Sequence, residues 1–158
     1  MRNDYLTEGL YPIIDQGQDY IAGYTNNTEN LLPEDKYVIF GDHTTCLKYF
    51  EGKFAQGADG IKILISKDII IPKYLYYAMN SYKSFSVSYA RHWSKMAATK
   101  IPVPSLAEQE RIVNILNRFD KLATDVSEGL PAEIEVRKKQ YEYYRDKLLT
   151  FEEFTVNA

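Results

Sequence analysis

The sequence predicts an α+β fold. A β-rich domain with short helices spans residues 1–104, a two-helix antiparallel, coiled-coil-like region spans 105–151, and 152–158 reads as a frayed tail. Three observations carry this division. Short β-prone runs separated by Gly- and Asp-bearing turns occupy the chain up to Ile71. Ser105, with Glu108 three residues on, stands ahead of an apolar run of helical period, which is a capping box. Gly129 and Pro131 then end one helix and open the next.

Taken in order, Tyr11–Asp15 and Tyr20–Tyr24 read as strands flanking Gln16-Gly17-Gln18. Tyr37–Phe40 and Cys46–Phe50 read as a hairpin whose loop is Gly41-Asp42-His43-Thr44-Thr45. Ile61–Ile65 follows a Gly57–Gly60 turn as a further strand. Pro72 ends the run Ile69–Ile71. Lys73–Tyr82 then has helical spacing, with Leu75, Ala78, Met79 and Tyr82 on one face. Ser84–Ser88 is β-prone, and Arg91–Lys95 is a polar segment around one large aromatic.

The first long helix is expected over Ser105–Ser127, with the stripe Ile112, Ile115, Leu116, Phe119, Leu122, Ala123 and Val126. The second is expected from about Pro131 to Thr150, with a thinner stripe of Ile134, Tyr141, Tyr144 and Leu148. Glu133–Arg137 and Glu135–Lys139 are i,i+4 pairs in the favoured orientation. Each helix carries more apolar surface than it can hide alone. That suits two helices packing back on their own domain or, as the favoured reading, an antiparallel pair that also offers a face to another chain. We therefore expect Ile112, Leu116, Phe119, Leu122, Val126, Ile134, Tyr141, Tyr144 and Leu148 to form a dimer or partner interface.

Bulk composition narrows the function. One cysteine, Cys46, excludes an internal disulfide framework and suits a reducing cytoplasm. No apolar run has the length of a membrane span, and the first residues lack the apolar core of a signal peptide. The net charge of −3 hides a segregation of charge. Residues 62–104 hold Lys62, Lys67, Lys73, Lys83, Arg91, Lys95 and Lys100 against Asp68 alone, interleaved with Tyr74, Tyr76, Tyr77, Tyr82, Phe85, Tyr89 and Trp93. Cations near phosphates gain from counterion release, so the block suits nucleic acid. It equally suits a packed core with a solvated lysine face.

A catalytic constellation is missing from the pattern. His43, His92 and Cys46 have no zinc-ligand spacing. Gly57–Gly60 lacks the lysine and hydroxyl of a phosphate loop. His43 beside Cys46 is better explained as hairpin-loop chemistry than as a hydrolase nucleophile, and Glu108 as a cap.

The segment IPVPSLAEQERIVNILNRFDKLATDVSEGLPAEIEVRKKQYEYYRDKLL resembles the helical region of the specificity subunits of type I restriction–modification enzymes, the type IC group in particular. Upstream, YPIIDQGQDYIAGYTN, YVIFGDHTTCLKYF, FAQGADGIKIL and YARHWSKMAATKIPVP resemble one of that family's target recognition domains. The resemblance implies a non-catalytic reader of double-stranded DNA. Modification subunits would dock on it and methylate adenine with S-adenosylmethionine, which they and not this chain would bind. Restriction subunits would join to translocate and cleave. One recognition domain and one helical region make half a subunit, with residues 1–104 lacking part of the usual N-terminal portion.

On that reading two copies associate through the helices. A helix of about 23 residues is about 34 Å long, close to the roughly 34 Å of one B-DNA turn. Expected DNA-binding residues are Gln18, Tyr24, His43, Thr44, Thr45, Arg91 and His92 for the groove and Lys62, Lys83, Arg91, Lys95 and Lys100 for phosphates. The alternatives are a protein interaction module that never touches DNA, or a regulator that occupies modification subunits. Salt-dependent DNA binding in the presence of a modification subunit separates them.

Overall fold

The computed structural model describes residues 5–57, 60–83, 90–125 and 131–151, with the side chains of 123–125 and 131–134 outside the description. Five strands come first: β1 (Tyr11–Ile14), β2 (Gly23–Thr25), β3 (Leu31–Gly41), β4 (Leu47–Gln56) and β5 (Ile61–Leu64). Helices α1 (Pro72–Tyr82), α2 (Trp93–Ala98), α3 (Leu106–Asp125) and α4 (Pro131–Leu149) follow. The α+β class expected from the sequence is the class observed.

The strands form one sheet in the order β2-β1-β4-β3-β5. The β3–β4 hairpin is its spine, running from Leu31↔Ala55 to Phe40↔Leu47. It is longer at both strands than the β-prone runs alone suggest. The register slips between Leu32 and Asp35, where Pro33 cannot donate to a ladder and a bulge absorbs the irregularity. β1 joins β4 in parallel, while β1–β2 and β3–β5 are antiparallel.

Side chains alternate across the hairpin as the strand period of two requires. Tyr37, Ile39, Phe50 and Phe54 meet Ile14 and Ile61 on one face. That cluster consists of strand residues only. Val38 and Phe40 point the other way, onto Met79 of α1 and Met96 of α2.

α1 lies between two layers. Pro72 occupies its first turn, where a missing N–H costs nothing. Leu75 and Met79 face the sheet, while Tyr74, Tyr77 and Ala78 face Ile112, Val113, Leu116 and Leu149 of α3 and α4. The single apolar face expected for this helix is therefore two faces, because both sides are covered. Each fully buried Leu or Ile of this kind contributes about 1.5–3 kcal/mol.

Tyrosine hydroxyls fasten the layers. Tyr74 donates to the Pro102 carbonyl at 3.0 Å, and Tyr82 donates to the Leu149 carbonyl. The Tyr77 hydroxyl sits 2.5 Å from Asp120 Oδ2 and 2.9 Å from Asn117 Oδ1. Burial, reinforced by the Asp120 carboxylate, pushes the Tyr77 pKa far above its ordinary value. These tyrosines are core and interlayer struts, with Tyr76 packed beside them. Tyr74 and Tyr77 thus follow the packed-core alternative for the 62–104 block; Phe85 and Tyr89 lie outside the described residues.

α3 runs over the 20 residues Leu106–Asp125, about 30 Å at about 1.5 Å per residue. Val126 and Ser127, the end expected for this helix, lie outside the described residues. Ser105 caps it with Oγ accepting the Glu108 N–H at 3.4 Å. The reciprocal half of the capping box does not form. Glu108 instead takes a bidentate pair from Arg111, at 2.8 and 2.7 Å. On α4, Glu135 and Lys139 make the expected pair at 3.1 Å. No described helix is long and apolar enough to cross a membrane.

Candidate nucleic-acid interface

Three segments far apart in sequence meet at one rim of the sheet: the turn 15–20 after β1, the loop 42–46 between β3 and β4, and the segment that opens α2. In the first, Asp15 Oδ1 accepts the Gly17 N–H at 2.7 Å, an Asx-turn. Lys48 of β4 runs beneath it, buried to 4% exposure. Its Nζ donates to the carbonyls of Asp15 and Asp19, at 2.8 and 2.6 Å, and lies 3.9 Å from the Asp15 carboxylate. Tyr20 donates to the Tyr49 carbonyl at 2.6 Å. The turn is thus bolted to the sheet rather than free.

The β3–β4 loop closes through Gly41 N–H to the Cys46 carbonyl and Thr45 N–H to the Gly41 carbonyl, both 2.8 Å. Thr45 carries φ +58°, a strained choice for a β-branched residue. Thr44 Oγ1 donates to the Gln16 carbonyl at 2.6 Å and accepts the Cys46 N–H at 3.2 Å. The His43 N–H reaches Gln16 Oε1 at 3.3 Å. A Cβ on Gly41 would fall 2.3 Å from Thr44 Oγ1 and 2.9 Å from Gln16 Cβ, so the close approach demands glycine.

Asp42 connects the loop to the third segment. Its buried Oδ1 accepts the N–H groups of His92 and Trp93, both at 2.8 Å, at the start of α2. Its own N–H donates to the Gly60 carbonyl at 2.7 Å. Burial alone would raise the Asp42 pKa. The Trp93 and His92 N–H groups, with Lys62 and His43 nearby, outweigh it and hold the carboxyl below the ordinary value.

Of the residues expected at a DNA surface, Gln18, Arg91, Lys95 and Lys100 are exposed, and Tyr24, His43, Thr44, Lys62 and Lys83 are partly so. Gln18, His43, Thr44 and Arg91 belong to the three converging segments; Lys95 follows on α2. Lys62 reaches the same rim through its charge on Asp42. Tyr24 shares a surface cleft with Gly17 and Asp19. Nothing draws Lys100 to the rim. For Lys83, burial holds the pKa below the ordinary lysine value, with Cys46 of the β3–β4 loop acting against it and Arg145 of α4 acting with it.

Two expected groove residues are placed differently. His92 is fully buried and Thr45 is 6% exposed. His92 lies under the loop because its N–H is tied to Asp42, and Thr45 is the turn-making residue, so neither presents its side chain outward in this structure. Thr44 is also partly committed, through its hydroxyl.

The helical stripe needs a larger correction. Ile112 and Leu116 are fully buried inside this chain, against α1 and Leu149, and so are not available to a partner. Tyr141 and Leu148 pack against the same cluster. Phe119 stacks on Tyr144 at 5.5 Å between ring centres. Leu122 and Tyr144 remain exposed, joined by Val136 and Tyr143. Val126 lies outside the described residues, as does the side chain of Ile134.

Lys48 at the rim and Gln109 at the joint with the helices were missed in the sequence, whereas Gln16 and Asp42 stood among the polar loop residues without their bracing roles. Gln109 is fully buried. Its Oε1 accepts the Ile71 N–H at 2.8 Å, and its Nε2 donates to the carbonyls of Pro104 and Ile69, at 2.8 and 3.0 Å. A signal existed for it, since Gln109, Ile112, Val113 and Leu116 follow the i, i+3, i+4, i+7 spacing of one helix face. Among the described residues no group of three or more His, Cys, Asp or Glu is placed to hold a metal ion.

Comparison with known proteins bears on this geometry. The family model described as the type I restriction modification DNA specificity domain matches residues 2–136. The EcoR124I/EcoR124II specificity subunit of Escherichia coli is 37% identical over 164 residues, covering 95% of this chain and 40% of that protein. The MpnII type I restriction enzyme specificity subunit of Mycoplasma pneumoniae is 48% identical over 56 residues, covering 35% of this chain and 17% of the relative. The chain thus spans less than half the length of either. With the match extending through the sheet, the rim and most of the helical layer, the chain belongs to the type I restriction modification DNA specificity domain family.

Proposed function

We propose that this chain reads DNA sequence as half of a specificity subunit, without catalytic groups of its own. Modification subunits dock on it and methylate adenine where it directs them, and restriction subunits join the same assembly. The observation that carries this is the convergence of the 15–20 turn, the 42–46 loop and the α2 segment on one rim. That rim offers Gln18, His43 and Arg91 as hydrogen-bonding groups and Lys62 and Lys95 as cations. Such a mixture suits base edges flanked by phosphates.

A split target needs two readers. Two copies joined through the exposed part of the helical layer, Leu122 with Val136, Tyr143 and Tyr144, would read an interrupted palindrome. Mapping DNA methylation in cells that express this chain with a modification subunit is the direct test. A methylated motif that appears only with both proteins is the expected result. Binding of the modification subunit with no motif gained favours a regulator instead. Light scattering of the chain at micromolar concentration tests the pairing, and a strict monomer removes the two-copy arrangement.

A further inference from the structure

We infer that Asp42 is a positioning residue for recognition, holding the β3–β4 loop and the α2 segment as one preformed reading unit, with Gln16 as its counterpart on the opposite flank of the loop. This rests on the DNA-reading role proposed above.

The geometry is specific. Asp42 is 3% exposed, so it is withdrawn from the surface. One oxygen takes two backbone N–H groups from a segment fifty residues away, at 2.8 Å each. Those donors are His92 and Trp93, immediately after the exposed Arg91. The Asp42 carbonyl shares the His92 N–H at 2.9 Å, so removing the carboxylate frees the Trp93 N–H and loosens the His92 one. The Asp42 N–H bonds the Gly60 carbonyl, so the same residue also holds the backbone two residues ahead of Lys62. The residue after Asp42 is His43, whose N–H is held from the other side by Gln16 Oε1. Thr44 is held there too, through the Gln16 carbonyl.

Arg91, His43 and Lys62 therefore have their backbones set relative to one another by buried and half-buried bonds, before any ligand arrives. Preorganisation of this kind raises discrimination between correct and wrong partners, because a displaced donor no longer meets its acceptor. A carboxylate suits the post, since one charged oxygen can accept two N–H groups at once.

The test uses the chain assembled with a modification subunit, bound to its methylation motif, to duplexes with single changes at each motif position, and to a random duplex. Asp42→Ala is expected to lower the preference for the motif over the random duplex about tenfold or more, with the loss confined to a subset of positions. Affinity for the random duplex and its salt dependence stay as in the wild type, since no phosphate contact is removed. Asp42→Asn keeps an oxygen for both N–H groups and restores the preference. Gln16→Ala blurs an overlapping subset of positions while leaving the Asp42 bonds in place, and it decides the matter if Asp42→Ala fails to fold. A wild-type complex with no preference over the random duplex would end the DNA-reading role itself. A selective wild type whose preference survives both alanine variants, or falls equally at every position together with random-duplex affinity, would overturn the positioning role alone.

Discussion

The rim and the helical layer are held by different forces. At the rim, hydrogen bonds do most of the fixing: Lys48 onto two carbonyls, Asp42 onto two N–H groups, Gln16 onto His43 and Thr44. In the helical layer, Ile112, Val113, Leu116 and Leu149 bury apolar surface against Tyr74, Tyr77 and Ala78. Hydrogen bonds are directional, and apolar burial is not. The rim can therefore hold polar groups in defined places, whereas the helices provide a firm mount. Their contrast suggests which substitutions alter reading and which alter stability.

The sharpest challenge is Lys48→Ala. It leaves the Asp15 carboxylate buried without its cation and frees two carbonyls. Loss of one partner of a buried pair costs about 3–5 kcal/mol, so the urea midpoint should fall steeply. The turn carrying Gln18 should also exchange its amide protons faster. A small change in midpoint would mean that the rim does not depend on its buried cation.

Leu116→Ala attacks the other region. Truncating a fully buried leucine costs about 2–5 kcal/mol, measured again by urea denaturation. Its effect on motif preference, scored on the folded fraction, should be slight if the rim is built independently of the mount. Equal damage to motif preference by Leu116→Ala and Lys48→Ala would erase the distinction.

Gln109→Ala probes the joint. The Ile71 N–H and the Ile69 and Pro104 carbonyls lose their shared partner, and an unsatisfied buried polar group costs about 1–3 kcal/mol. Calorimetry should show that loss, with the preference for individual bases unchanged.

Acid offers a smaller test. Asp42 has a folded pKa below its unfolded value. Its stabilising contribution is full above the ordinary carboxylate value near pH 4, and it disappears as pH falls through the lowered folded value. Asp42→Asn should flatten that part of the acid limb of stability against pH. An unchanged limb would mean that the rim carboxylate is not charged as the geometry requires. Arg111→Ala, on the exposed Glu108 pair, should leave the thermal midpoint where it was, since exposed ion pairs contribute little.

Much of this was legible in advance for a local reason. The start of α3 follows from Ser105 and the hairpin from two β-prone runs around a turn, while α1 opens at Pro72, one residue ahead of the Lys73 start expected for it. These signals act over a few residues. The site was legible as a set of polar loop residues, and three of the loops do meet. The roles within the set were not: Gln16 and Gln18 look alike in sequence, yet Gln16 braces the loop and Gln18 is exposed.

What the sequence determined by itself was the order and type of the elements, because capping, turn chemistry and periodicity are properties of neighbours along the chain. Tertiary structure alone decided which surfaces are spent. It buried His92 and Thr45, consumed Ile112 and Leu116 against α1, and set Gln109 at a three-way joint. Those outcomes depend on contacts between segments tens of residues apart. A stripe of apolar side chains states that something will cover it, and only the packed molecule states what.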